Sequence, residues 1–497
     1  MNIKKTKLSK ITITATLVAV IAYALVSCGP TSPTEETSAT REASSTPATA
    51  QALETTSKSA PGENPHPAPP YLANMYGELP TLHLTMSESN EIPPFTDRET
   101  WLNCSATMTS ANPEFEFENL RTRIRGRGRS SWSRAAEKRS VRLRFRDGDR
   151  HMLDSSYAHR DWVLVANHTD NSLLRNYTAY HLGGLLTGMD WSPFARSLHL
   201  YVDGEYMGVY LLADERNIAP GRGVLNSDPD PAVSEYFIEM DWRLFRNDNV
   251  QGVDYFRINT HERGISGVSA NQGVPEGYER DRLYEVRFPR PNSGDFSVAH
   301  VEYARQFVED VSRAIRNKDW QRITELVDMA SMVDYYLVQE LFKNVDTGWS
   351  SQFMQIRAAG ENHRLYMGPI WDFDVAAGNI SWMSNKSPEG LYVRQQNYWF
   401  KFLLEITEFR ALVHERWETF AHAAVLETIA HTHALSQEFA EDFQRNFERH
   451  KVLGVDHWPK PPEVIAIDTF EGQVEFMIDF LSRRAASLSE IYGGFAP

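Results

Sequence analysis

Cysteine is nearly absent: Cys28 and Cys104 are the only two in a chain of 497 residues. A disulfide-stapled secreted scaffold is excluded on that ground. Long apolar runs are missing too. The segment Ile11 to Val26 stops at 16 residues, short of the ~20 that a spanning helix needs. Sixteen histidines are present, with His431 and His433 in a helical stretch. None sits in an H-E-x-x-H or other paired zinc spacing. No G-x-S-x-G elbow and no nucleophilic cysteine context appears, and no internal repeat is evident. Positive charge is also in short supply, because 51 Lys and Arg face 66 Asp and Glu for a net charge of −15. That balance argues against nucleic acid as a partner.

What is present begins with acids. Lys343-Asn344-Val345-Asp346 closes an apolar helical run, and Pro369-Ile370-Trp371-Asp372-Phe373-Asp374 follows. The second stretch looks strand-like, and alternation along a strand sets residues i and i+2 on one face. Asp372 and Asp374 are therefore expected to converge on one hard cation. A separate Asp346, placed to accept a hydroxyl proton, completes the minimum apparatus of phosphoryl transfer.

Upstream, 121–146 reads RTRIRGRGRSSWSRAAEKRSVRLRFR. Arg121, Arg123, Arg125, Arg127 and Arg129 recur at period two, as do Arg142, Arg144 and Arg146. Two adjacent strands would each carry a file of guanidinium groups on one face. Gly126 and Gly128 thin the backbone between them, opening main-chain N–H groups to an anion. Arginine suits phosphate through its bidentate fork. In so acidic a chain, this dense basic block favours an anionic ligand over a solvated or carboxylate-paired face. Asn171 and Arg175, one helical turn apart, either orient a phosphate or pair on a helix surface. Trp349, Trp371, Trp382 and Tyr206 are expected in the core, with one or two free to stack on adenine.

At this point the residues resemble a family. RGRGRSSW (Arg125 to Trp132), Lys138-Arg139 with Val141-Arg142-Leu143, and DWVLVANHTDNSLLRNYTAYHL (Asp161 to Leu182) are similar to the N-terminal signature of the CotH (spore-coat protein H) kinase family. LYVDGEYMGVYLLADE (Leu200 to Glu215), FIEMD, FKNVD and PIWDFD follow in the family's order. The resemblance implies an atypical protein-kinase-like fold that binds ATP with magnesium and phosphorylates Ser/Thr in proteins. It makes Asp346 the catalytic-loop acid and Asp372 or Asp374 the magnesium ligand. Lys138 becomes the phosphate-contacting lysine, supported by Arg125, Arg127 and Arg142. The chain departs from the family at Gln352, where Asn is usual. If that amide is a second metal ligand, the longer Gln reaches with altered geometry. It departs again at Asp214, where Glu is common and the following Glu215 can substitute.

The N-terminus suggests export. Lys4, Lys5, Lys7 and Lys10 precede the apolar run, which ends Leu25-Val26-Ser27-Cys28, resembling a bacterial lipobox. Residues 1–27 are expected to be a lipoprotein signal peptide, with lipid on Cys28 anchoring the protein to a membrane. Removing four lysines and no acid moves the net charge from −15 to −19. Gly29 is not a retention-type Asp, so the outer membrane is the expected home in a two-membrane host. Residues 28–75, rich in Ser, Thr, Pro and Ala, form a tether that cannot bury a core.

Residues 76–495 are expected to be α+β and two-lobed, a mainly β N-lobe (about 76–290) before a helical C-lobe (about 291–495). Strands are predicted at Thr81-Met86, Leu120-Arg125, Ser140-Phe145, Trp162-Ala166, Ser197-Val202, Met207-Ala213 and Tyr236-Met240. Asp203-Gly204-Glu205 is read as a hairpin turn. Helices are predicted at Ser172-Leu186, Val298-Asn317 and Ser331-Lys343, with a helical tail from about Tyr398 to Ile491. The expected function is a lipid-anchored kinase acting on exported or cell-surface proteins. The alternative is a non-catalytic binding or adhesion module on the same fold.

Overall fold

The computed structural model of the protein describes residues 78–90, 94–128, 132, 138–246, 250–260, 281–291, 293–381, 386–456 and 459–496. The expected signal peptide, Cys28, the expected tether, Arg129 and Trp382 lie outside the described residues. The fold is mixed α+β, with a β-rich N-terminal part ahead of a helical C-terminal part.

Seven strands close a barrel: β1 (Thr81–Met86), β2 (Leu102–Thr109), β3 (Phe117–Gly126), β4 (Val141–Phe145), β5 (Asp161–Val165), β6 (Ala195–Val202) and β7 (Glu205–Asp214). Their order is β1-β2-β3-β4-β5-β7-β6, and the ring is sealed by parallel pairing of β1 with β6. Closure leaves no exposed edge. Alternation fills the interior: Thr122 and Ile124 of β3 and Val141, Leu143 and Phe145 of β4 are buried, while the arginines between them face out. Asp203 and Gly204, both at positive φ, make the tight β6–β7 turn, the geometry whose twist suits a two-residue hairpin.

A second, five-stranded sheet has the order β12-β11-β8-β10-β9. Its members are β8 (Tyr236–Met240), β9 (Tyr255–Asn259), β10 (Asp281–Phe288), β11 (Gln352–Ala359) and β12 (Asn362–Met367). Among the described residues the α-helices of seven residues or more are α1 (Arg175–Leu185), α2 (Val298–Arg316), α3 (Trp320–Leu326), α4 (Met329–Phe342), α5 (Thr407–Arg416), α6 (His422–Glu438), α7 (Ala440–Arg449) and α8 (Phe470–Gly493). Helix α4 is apolar around nearly its whole circumference and correspondingly buried. The Asp328 side chain caps its first turn by accepting from the Ser331 N–H, and Lys343, at φ 46°, ends it in a left-handed turn. No helix among the described residues is long and apolar enough to cross a membrane.

Three expectations need correction. The stretch from Ile370 to Asp374 is a loop, and Asp372 has φ 70°, so strand alternation is not what brings the two acids together. Helix α1 begins at Arg175 rather than Ser172, because Leu173 is left-handed and Asp170 caps the helix by accepting from the Ser172 and Arg175 N–H groups. The tail is a set of separate helices, with a π-helical stretch at Trp417–Ala421.

Candidate active site

The end of α4 delivers Asp346. Its N–H donates to Asn344 Oδ1 at 3.1 Å, and its carbonyl accepts from the Trp349 and Ser350 N–H groups at 2.9 and 3.0 Å. That folded turn holds the half-buried carboxylate in place. Asp372 is fixed from two sides: Ser351 Oγ donates to its carboxylate at 3.2 Å, and the next residue's N–H, on Phe373, donates to Asn176 Oδ1 at 2.7 Å. Thr169 donates to the Asp374 carboxylate, while Asn379 Nδ2 bridges the Asp374 and Thr169 carbonyls at 2.7 and 2.9 Å.

These three carboxylates lie within electrostatic reach of one another. Burial and the Asp372 charge push the Asp346 carboxyl up to about 7, against the pull of Arg243. Burial and Asp372 likewise push Asp374 up to about 7, with the Thr169 hydrogen bond opposing. Arg243, the cation that opposes the shift of Asp346, is already engaged in a two-pronged ion pair with Asp241, at 2.8 and 3.0 Å. The acids thus form a pole of mutually repelling carboxyl groups, in which Asp346 and Asp374 hold their protons more tightly than isolated ones would.

The arginines form the opposite pole. Burial opposes ionisation of Glu215, yet Arg142, Arg216 and Arg127 hold its carboxyl well below the usual range. Arg142 pairs with Glu215 directly. Arg216 donates to Glu239 at 3.2 Å, and Arg287 reaches the same carboxylate from β10. Arg127 and Arg216 both lie against the Trp371 ring, with guanidinium carbons 5.3 and 5.4 Å from its centroid. The ring also stacks on Tyr180 at 5.5 Å, so its faces are taken within the protein. Trp371 immediately precedes Asp372, and Arg127 is within the electrostatic reach of that acid. Two guanidinium groups, Arg127 and Arg216, therefore lie against the ring that adjoins the acidic pole, and Arg142 and Arg287 join them through Glu215 and Glu239. The arrangement suits a ligand that is anionic and arrives with a cation.

The structure gathers Asp346, Asp372, Asp374, Arg127 and Arg142 at this place. The other candidates lie elsewhere, and all of the polar ones but Arg125 have polar atoms engaged within the fold. Arg125 stands over the Trp101 ring on the barrel exterior, at 5.0 Å. Lys138 is buried, donates to the Val209 carbonyl at 2.6 Å, and is pushed down to about 7 by desolvation. Asn171 and Arg175 are buried rather than on a helix surface. Asn171 Oδ1 accepts from Lys460 Nζ at 2.7 Å, and Arg175 pairs with Asp170 and donates to the Ala376 carbonyl at 3.0 Å. Arg175 therefore ties down the loop that follows Asp374. Gln352 Oε1 accepts from Asn397 at 2.8 Å. Trp349 packs under Arg282, 4.1 Å from its ring centroid, and the Tyr206 hydroxyl meets His199 at 2.8 Å.

Sequence reasoning missed Arg216, Glu239, Arg287, Arg243 and Thr169. One signal was available: Glu239 and Asp241 stand at i and i+2, the first in an otherwise apolar strand and the second just past its end. Asp214, by contrast, is a fully buried partner of Arg222 at 2.8 Å, which leaves Glu215 as the acid on the arginine cluster.

No curated protein matches the chain. The CotH kinase protein family matches over residues 123–488, a span that includes every residue of both poles. With well over half its length in that match, the chain belongs to the CotH kinase family, and membership implies an atypical kinase that uses ATP and acts on protein.

Proposed function

We propose that the protein transfers the γ-phosphate of ATP to Ser or Thr hydroxyls of exported or cell-surface proteins, with magnesium, while anchored by lipid on Cys28. One observation carries the catalytic part: an acidic pole and an arginine pole lie side by side, joined at Trp371-Asp372. Arg127, Arg142, Arg216 and Arg287 hold the phosphates and absorb the charge that grows on the transferred group. Asp346, on its own turn, orients the acceptor hydroxyl and takes its proton.

The donor set fits magnesium. Asp372 and Asp374 offer hard oxygens that repel one another, and among the described residues no three His, Cys, Asp or Glu close into a full cage. Magnesium is ordinarily held by one or two carboxylates together with substrate oxygens. When bound, it supplies positive charge that offsets both the carboxylates and the phosphates.

The anchor rests on the sequence from Lys4 to Cys28. It places the protein in the cell envelope outside the cytoplasm, at the outer membrane where the host has one.

The test is incubation of the full chain, purified in detergent, with labelled ATP and magnesium in the presence of an envelope extract. Label is expected on Ser or Thr of at least one protein. Absence of transfer to itself and to every extract protein contradicts the proposal. For the anchor, metabolic labelling with palmitate is expected to mark wild type and not Cys28→Ala; wild type found unlabelled and wholly cytosolic overturns it.

A further inference from the structure

The arginine file is longer than the phosphate site uses. On β3 and β4, Arg123 lies opposite Arg144, and Arg125 opposite Arg142. Arg123, Arg125 and Arg144 all crowd the indole of Trp101, with guanidinium carbons 4.6, 5.0 and 4.9 Å from its centroid. Arg144 is paired with Asp161, Arg121 with Asp147, and Arg146 with the neutral Asn103 amide at 2.9 Å. Among the described residues Arg123 and Arg125 have no carboxylate partner, and their buried Nε atoms have no hydrogen-bond acceptor. Burial, Arg144 and Arg146 all weaken the hold of Arg123 on its proton. Like charges directly across a sheet destabilise it, so the fold tolerates here a charge that it does not neutralise. A guanidinium resting on an aromatic face keeps its in-plane donors for another partner.

The file also has a direction. At a rise of about 3.3 Å per residue, Arg123 stands roughly 13 Å along β3 from Arg127, which lies beside Trp371 at the proposed phosphate site. We propose that the outer face of β3 and β4 around Trp101 is a docking strip for an acidic, Asp/Glu-rich segment of the protein acceptor. The segment engages Arg123, Arg125 and Arg146 in extended form, about four residues from the hydroxyl presented to Asp346. Charge complementarity argues for a carboxylate-bearing peptide, since Arg forks match carboxylates bidentately. A lipid surface fits less well, because among the described residues no exposed large apolar side chain lies on β1 to β4. The proposal rests on the kinase reading for its acceptor, so binding is tested without nucleotide and transfer separately.

The probe is fluorescent deca-glutamate at low ionic strength, with deca-lysine as control, against the full chain in detergent. Wild type is expected to bind deca-glutamate and not deca-lysine. Arg123→Gln/Arg146→Gln spares the Arg144–Asp161 pair and is expected to melt like wild type but bind at least tenfold more weakly. Arg123→Lys/Arg146→Lys is expected to restore most of the affinity, which a purely structural role would not do. With dephosphorylated casein as an acidic acceptor, the Gln variant is expected to raise KM and leave kcat unchanged. Deca-glutamate binding without any phosphotransfer sustains the strip and retires the kinase reading. Equal affinity in wild type and the Gln variant overturns the strip. Binding of phosphatidylglycerol vesicles but not of deca-glutamate also overturns it, in favour of a membrane face.

Discussion

Two groups of buried charge lie within a few residues of each other at the end of α4, and they are built differently. Glu340, one helical turn and a half before Asp346, is fully buried and paired with the fully buried Arg484 of α8. Its oxygens also accept from the Tyr392 and Val393 N–H groups at 2.6 and 2.8 Å, and Arg484 donates to the Pro388 and Gly390 carbonyls. Every charge there has an opposite. At Asp346, Asp372 and Asp374 the carboxylates repel one another instead, with Arg243 committed to Asp241. The first arrangement holds the helical part together, and the second is poised for something the chain does not itself supply. At this end of α4 the neutralised pair belongs to the scaffold, and the mutually repelling acids mark the candidate site.

The comparison can be broken first at Asp346. Asp346→Asn is expected to lower phosphotransfer by about 10²–10⁴, because proton acceptance and positioning act in the transition state. Nucleotide affinity by calorimetry should stay within a few-fold of wild type. A parallel loss of nucleotide binding would make Asp346 part of the binding pole.

Next is the scaffold pair. Arg484→Met leaves Glu340 buried and unpaired, and is expected to cost about 3–5 kcal/mol in urea unfolding. Phosphotransfer per folded molecule should remain. A stable but inactive variant would mean that the two groups of charge are not separate in function.

A smaller effect is expected at a third buried cluster. His181 of α1 stacks on His431 of α6 at 4.3 Å, and His431 meets the Tyr177 hydroxyl at 2.8 Å. Burial above all, with His431 and Arg196 nearby, pushes His181 down to about 3; burial and Arg196 push His431 down to about 4. Both therefore stay neutral in the fold while the unfolded chain takes up protons near pH 6.5. Stability from these groups is full above pH 6.5 and is lost as the pH falls from there toward about 4 for His431 and about 3 for His181. His181→Phe is expected to move the acid-unfolding midpoint to lower pH. An unchanged midpoint would remove the imidazole pair from the account of acid sensitivity.

Much of this architecture was legible locally. β1 and β8 match their predicted bounds, and the period-two arginines do share one face of β3 and β4. The acids at 346, 372 and 374 announced themselves by the runs they terminate. What was hidden is what sheet pairing brings together. Arg216 follows β7 and Arg287 lies on β10, and nothing local places them both on Glu239; that follows from Glu285 pairing with Glu239 across the second sheet. Lys138 was misleading for a related reason. Its neighbours in sequence are basic, but its ammonium is turned onto the Val209 carbonyl of β7.

That the acidic pole lacks a balancing cation of its own is tested most directly by thermal unfolding of Asp374→Asn. Without metal, removing one of three mutually repelling carboxylates is expected to raise Tm above wild type. With magnesium and a non-hydrolysable ATP analogue, wild type is expected to gain Tm and the variant to gain little. A variant less stable than wild type without metal, and stabilised equally with it, would contradict the claim.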